Sequence, residues 1–232
     1  QQKYGIRDFR GGGRSSARET AVRVAAGALA KLLLSRQNIS VHARIASIGP
    51  FSFEDYTGGL DDPQISSYLD QVRKDGDTVG GTVLTVVKGV PAGLGEPLYD
   101  KLSADLAKSM FSINAVRGFE LGSGFASAAM KGSEHNDPFD VMDGKIVTSS
   151  NHSGGIQGGI SNWMEIIFSV AFKPVSTLMK EQNTINEKGE RVTFSGKGRH
   201  DVCIVPRAVP VVEAMAALTL ADHLLRSGRF TG

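Results

Sequence analysis

GGGRSSARETAVRVAAGALAKLLLSR, residues 11–36, joins a glycine-rich loop to a long apolar stretch. Three glycines, two arginines and two serines stand at the mouth of what reads as a helix. Ser15 or Ser16 can cap that helix by accepting from its first free N–H groups, with Glu19 three or four residues on. Ala21, Val24, Ala25, Ala28, Leu29 and Leu32 recur at helical spacing. Together with Gly27 they predict a face of small residues packed tightly on a sheet or another helix. A helix start also presents unpaired N–H groups and a partial positive charge, which attract anions. Arg14 and Arg18 add forked donors. The stretch reads either as a phosphate site or as a capped helix with solvated arginines. It is no P-loop, because the Gly-Lys-Ser/Thr ending is missing.

ISVHARIASIG (39–49) alternates like a strand, with Val41, Ala43 and Ile45 on one side and His42 and Arg44 on the other. Residues 54–63 form a polar loop, and QISSYLDQVRKDGD (64–77) a short helix ended by Gly76. TVGGTVLTVVKGVP (78–91) is β-branched and strand-like, stopped by Pro91. AGLGEPLYDKLSADLAKSMFS (92–112) carries a glycine loop into a helix with Leu102, Leu106 and Met110 on one face. INAVRGFELGSGF (113–125) reads as a strand with a glycine turn, and MEIIFSVAFKP (164–174) as a strand closed by Pro174. Residues 131–155 lack periodicity and are expected to form a long functional or mobile loop. PRAVPVVEAMAALTLADHLLRSGR (206–229) closes the chain as a helix starting near Pro210. Several strand pairs have only loops between them. The order therefore predicts an α+β fold with largely antiparallel sheet, not a doubly wound parallel one. No internal repeat or linker is visible, so residues 1–232 read as a single domain.

The totals narrow the function. The chain has 232 residues, 41% of them hydrophobic and 22% charged, enough for a real core. Net charge is +2, and no RNP, zinc-finger or helix-turn-helix pattern occurs, so nucleic acid is not an expected partner. The lone Cys203 excludes an internal disulfide framework and fits a reducing cytoplasm. No apolar run approaches the roughly 18 residues of a membrane span, so no membrane is expected. The 28 glycines cluster at a few places, where the backbone turns sharply or approaches a ligand.

Three further clusters carry chemistry. NHSGGIQGGISN (151–162) has two Gly-Gly pairs, suited to a planar ligand or phosphate lying on main-chain N–H groups, or to a tight turn between strands. KPVST (173–177) follows a strand with a lysine and two hydroxyls, able to hold a phosphate or a ring carbonyl, or simply to turn. GKGRHDVC (196–203) is densest: Lys197 and Arg199 are cations, and His200 and Asp201 are candidate proton carriers. No G-x-S-x-G elbow supports a serine hydrolase, and no dinucleotide fingerprint supports a Rossmann site.

RDFRGGGRSSARETAVRVAAGALAK, GVPAGLGEP, SINAVRGFELGSGF, SNHSGGIQGGISN, FKPVST and GKGRHDVCIVPRAVPVVEAM follow one another here in the order seen in chorismate synthases. The chain resembles that family over nearly its whole length. The resemblance implies a β-α-β sandwich of largely antiparallel sheets and helices, assembled as a homotetramer in the cytoplasm. It implies a lyase that uses reduced FMN (FMNH2) to convert 5-enolpyruvylshikimate 3-phosphate to chorismate by 1,4-anti elimination of phosphate, on the route to the aromatic amino acids. By motif, Arg14, Ser15, Ser16, Asn114, Ala115, Gly158, Lys173, Pro174, Val175, Ser176, Thr177 and Arg199 are expected at FMN. Asp201 is expected near the flavin N5, assisting proton transfer; no metal is expected. Departures include Trp163, where glycine is common, and the loop at 54–64, which is shorter than usual. The family's segment before RDFRGGG, with its histidine-bearing GESHG-type motif, is not in these residues, so incomplete coverage of the whole protein is expected. A flavin- or phosphate-binding module without activity is the alternative.

Overall fold

The structure, a computed structural model, describes residues 2–6, 16–53, 62–142, 144–196 and 201–228. Its centre is an antiparallel five-stranded sheet in the order β2-β1-β3-β9-β4. The strands are β1 (Ser40–Ile48), β2 (Phe51–Ser52), β3 (Gly81–Lys88), β4 (Val116–Leu121) and β9 (Ile166–Phe172). Period-two alternation places Val41, Ala43 and Ile45 beside Val87, Thr85 and Val83, which in turn face Ile166, Phe168 and Val170. That row is the sheet's core face. A register shift between Ile45 and Ser47 returns Ile48 to the buried side.

Three helices cover this face: α1 (Thr20–Ser35), α3 (Leu102–Phe111) and α5 (Val205–Arg226). α3 buries Leu102, Leu106 and Met110, the face its spacing predicts. α5 is apolar nearly all round and is buried accordingly, from Val205 to Leu224. An 18-residue stretch within its 22 residues has a mean hydropathy of 1.5, long and apolar enough to cross a membrane, contrary to the expectation that no such run exists. Here it packs on α1, α3 and the sheet. It also starts earlier than expected. Pro206 occupies the first turn, where a missing N–H costs nothing, and Pro210 lies inside the helix. Burial of Val205, Ala208, Val211 and Val212 around that proline offsets the lost hydrogen bond.

Polar ties fix the helix layer. Glu213 of α5 accepts from the Ala43 N–H of β1 at 2.7 Å and pairs with Lys31 of α1. His223 Nε2 meets Asp105 of α3 at 2.9 Å. Gly27 sits so close to α5 that a Cβ there would meet the Ala214 Cβ at 2.3 Å. Close packing at Gly27 is thus as expected, but the rest of the α1 face is not. Gly27, Ala30 and Leu34 point inward, whereas Ala21, Ala25, Ala28, Leu29 and Leu32 are exposed. The helix is apolar around most of its circumference, so spacing alone did not single out the buried side.

A smaller core joins α2 (Pro63–Lys74) to the sheet through Ile65, Val72, Ile48, Val79 and Val202. Asp62 caps α2, accepting from Gln64 N–H, and Gly76 ends the stretch at φ 66°. Where the sequence suggests one long loop over 131–155, the described residues form α4 (Gly132–His135), the hairpin β5 (Phe139–Met142) and β6 (Lys145–Thr148), and a turn. The organiser is buried Asp137, which accepts from the Ser150 hydroxyl and the His152 and Ser153 N–H groups. Burial alone raises its pKa, but these hydrogen bonds outweigh it and hold the carboxyl at about 2. Two more hairpins are β7 (Ile156–Gln157) with β8 (Ile160–Ser161) and β10 (Glu181–Ile185) with β11 (Arg191–Ser195).

Two stability predictions follow from buried polar groups. Thr85 is fully buried, and its hydroxyl has no hydrogen-bond partner among the described residues. Thr85→Val should therefore stabilise the protein by about 1 kcal/mol in chemical denaturation. An unchanged or lower midpoint would contradict this. For Asp137 the folded pKa lies below the usual 3.8, so its contribution is complete above that value and fades as pH falls towards 2. Asp137→Asn should cost up to about 2 kcal/mol at neutral pH, with the gap to wild type closing below about pH 4. A pH-independent gap would show that the charge is not what matters.

Candidate functional site

Strand β9 ends at buried Phe172 and leads into Lys173–Thr177, with Pro174 preventing further pairing. The exit is held on both sides. Lys173 N–H donates to the Ala115 carbonyl at 3.0 Å, and the Thr78 hydroxyl donates to the Val175 carbonyl at 2.7 Å. Gly80 passes so close that a Cβ there would lie 2.2 Å from the Phe172 carbonyl oxygen. Asn114 and Ala115 form the turn from α3 into β4, with Ala115 left-handed at φ 68°. On the other side stand the first turns of α5, with Ile204, Arg207, Ala208 and Val211, and the 3₁₀ turn Ala17–Glu19 that leads into α1. Asp201 precedes α5 and accepts from Arg207 Nη1 at 2.7 Å.

These segments line a half-open cavity of about 1000 Å³. Arg18, Lys173 and Arg207 bring positive charge to its wall, and Asp201 brings a carboxylate. Thr20, Asn114, Ser176 and Thr177 add polar groups, while Ile113, Phe172, Ile204 and Val211 add apolar surface. Apolar walls with a few convergent polar groups are the usual make-up of a small-molecule site, and the volume is at the upper end for one.

Of the residues singled out from sequence, Asn114, Ala115, Lys173, Pro174, Val175, Ser176, Thr177 and Asp201 all line this one cavity. Ser16 is beside it rather than on it, its hydroxyl accepting from Arg18 N–H at 3.4 Å and capping the 3₁₀ turn. Gly158 is not among the lining residues. It sits in the open turn between β7 and β8 at φ 60°. That hairpin instead packs on residues 91–102: the Gly159 carbonyl accepts from Leu102 N–H at 2.9 Å, and the Ser161 hydroxyl bridges Leu94 N–H and the Pro91 carbonyl. The two glycine-rich stretches GVPAGLG and NHSGGIQGG therefore meet each other. Arg14, Ser15, Lys197, Arg199 and His200 lie outside the described residues. Cys203 is half-buried between the two cores, and burial pushes its thiol pKa up, away from nucleophile chemistry.

Arg207 was not picked out from sequence, although it lies within a stretch that was. Its signal is position: it is the third residue of α5 and six residues past Asp201, so the helix start turns it back towards that carboxylate.

The fold and cleft define an α+β protein that takes a small molecule in a cation-lined cavity. The chain belongs to the chorismate synthase family, which it matches over residues 1–225. It is 53% identical to the chorismate synthase of Cytophaga hutchinsonii, over 98% of this chain and 68% of that protein. It is 56% identical to the chorismate synthase of Christiangramia forsetii, over 97% and 67% of the two chains. A crystal structure of chorismate synthase superposes with a TM-score of 0.79 at 31% identity, covering 97% of this chain and 69% of that one. The chain thus spans about two thirds of its relatives. The family places it among flavin-dependent lyases of aromatic amino acid biosynthesis.

Proposed function

We propose that the cavity holds reduced FMN beside 5-enolpyruvylshikimate 3-phosphate, and that the protein catalyses the 1,4-anti elimination of phosphate that yields chorismate. The observation that carries this reading is the gathering of Asn114–Ala115, Lys173–Thr177 and Asp201 round one cavity from three distant parts of the chain. The wall chemistry fits a flavin mononucleotide. Lys173, Ser176 and Thr177 supply a cation and hydroxyls for a phosphate, and Phe172, Ile113 and Val211 supply apolar surface for a planar ring. Arg14, Ser15, Ser16, Gly158 and Arg199 belong to the same proposed FMN set.

When bound, the reduced flavin supplies electron density to a reaction with no net redox change. The chain's own residues supply position and field. Arg18 offers positive charge where negative charge grows on departing phosphate, which lowers the barrier. Asp201, at the cavity wall, handles the proton near the flavin. The reading takes residues 1–232 as one domain and a homotetramer as the assembly. It takes the cytoplasm as the compartment and a small molecule as substrate, with neither nucleic acid nor membrane as partner.

Titration of FMN, followed by its absorbance, tests the cofactor site. Lys173→Ala should weaken binding by about tenfold, the cost of one charge-assisted hydrogen bond. An unaltered dissociation constant would remove Lys173 from the site. Under anaerobic reducing conditions, Asp201→Asn in the full-length protein should slow turnover by about 100-fold or more while leaving FMN affinity within about twofold. Normal turnover would remove Asp201 from the mechanism.

A further inference from the structure

We infer that Arg207 is a positioning residue for Asp201, fixing the carboxylate at the cavity wall in the orientation that proton transfer requires. The inference rests on the reading of Asp201 as the proton-handling group. Arg207 Nη1 donates to Asp201 Oδ2 at 2.7 Å, and both residues line the same cavity.

Each end of the pair is attached to backbone that is itself held. Arg207 is in the first turn of α5, where Arg207 and Ala208 both donate N–H groups to the Ile204 carbonyl at 3.0 Å. Its neighbours Val205 and Ala208 are buried in the main core. Asp201 adjoins Val202, which is buried in the smaller core and whose carbonyl accepts from Val79 N–H at 2.8 Å. The carboxylate is thus located by two anchors: its own backbone, tied to β3's approach, and the guanidinium, tied to α5.

Stability is not a sufficient reason for the pair. The Arg207 side chain is 68% exposed and that of Asp201 37% exposed, and exposed ion pairs contribute little. Geometry is the better reason. A planar guanidinium restricts the directions in which a carboxylate can point, and a proton-transfer group loses rate steeply when displaced by about 1 Å.

The test is a double-mutant cycle in the full-length protein with Arg207→Ala, Arg207→Lys, Asp201→Asn and the Arg207→Ala/Asp201→Asn combination. Turnover, KM for the phosphorylated substrate, FMN dissociation constant and melting temperature are measured for each. Arg207→Ala should lower kcat by about tenfold or more, with KM and FMN affinity within about twofold. Arg207→Lys should restore part of the loss, because it returns the charge without the planar guanidinium. In the Asp201→Asn background, Arg207→Ala should cost nothing further. An unchanged kcat in Arg207→Ala would overturn the inference. So would weakened FMN or substrate binding at constant kcat, or losses that simply add in the combined variant. Normal turnover in Asp201→Asn would sink the underlying reading and the inference together, and is distinguishable because it appears in that single variant alone.

Discussion

Helix α5 buries residues along its whole length, from Val205 at its start to Leu224 near its end, against α1, α3 and the sheet. The rest of the structure depends on that burial. It explains the close approach at Gly27, where α1 has no side chain to hold α5 away. It explains the few polar groups on the helix, since Glu213 and His223 each have a partner on another element. It also fixes where the helix begins, and the helix beginning is one wall of the cavity.

The cavity is made from the ends of elements rather than from their middles. The exit of β9, the turn before β4, the entrance to α1 and the first turns of α5 all arrive at one place. Each is fixed by a core element a few residues away. Side chains at such positions point into open space while their backbones remain anchored, which is the arrangement a preorganised site requires. The positive groups there come from three separate elements. No single stretch of sequence is strongly basic, consistent with the chain's net charge of only +2.

Much of this was legible in the letters, for identifiable reasons. Strand alternation in 39–49 and 164–174 and the 102/106/110 stripe of α3 were readable because one face is apolar and the other is not. Where both faces are apolar, periodicity loses its meaning. The buried side of α1 was therefore misjudged, and the span-like length of α5 was overlooked behind Pro210. The order in 131–155 was hidden because it comes from one buried carboxylate accepting hydrogen bonds from residues 13 to 16 positions away. Glycine clusters read either as sharp turns or as ligand contacts, and two of them also approach each other, letting the β7–β8 turn lie against residues 91–102. The candidate site was legible as motifs, but its unity was not, because nothing local in KPVST or SINAV says that they adjoin.

A crystal structure of the protein grown with FMN is the most direct test of the account. Density for the flavin within the cavity, its phosphate near Lys173, Ser176 and Thr177 and its ring within reach of Asp201, is the predicted result. Flavin density on another surface, or an empty cavity at saturating FMN, would contradict it.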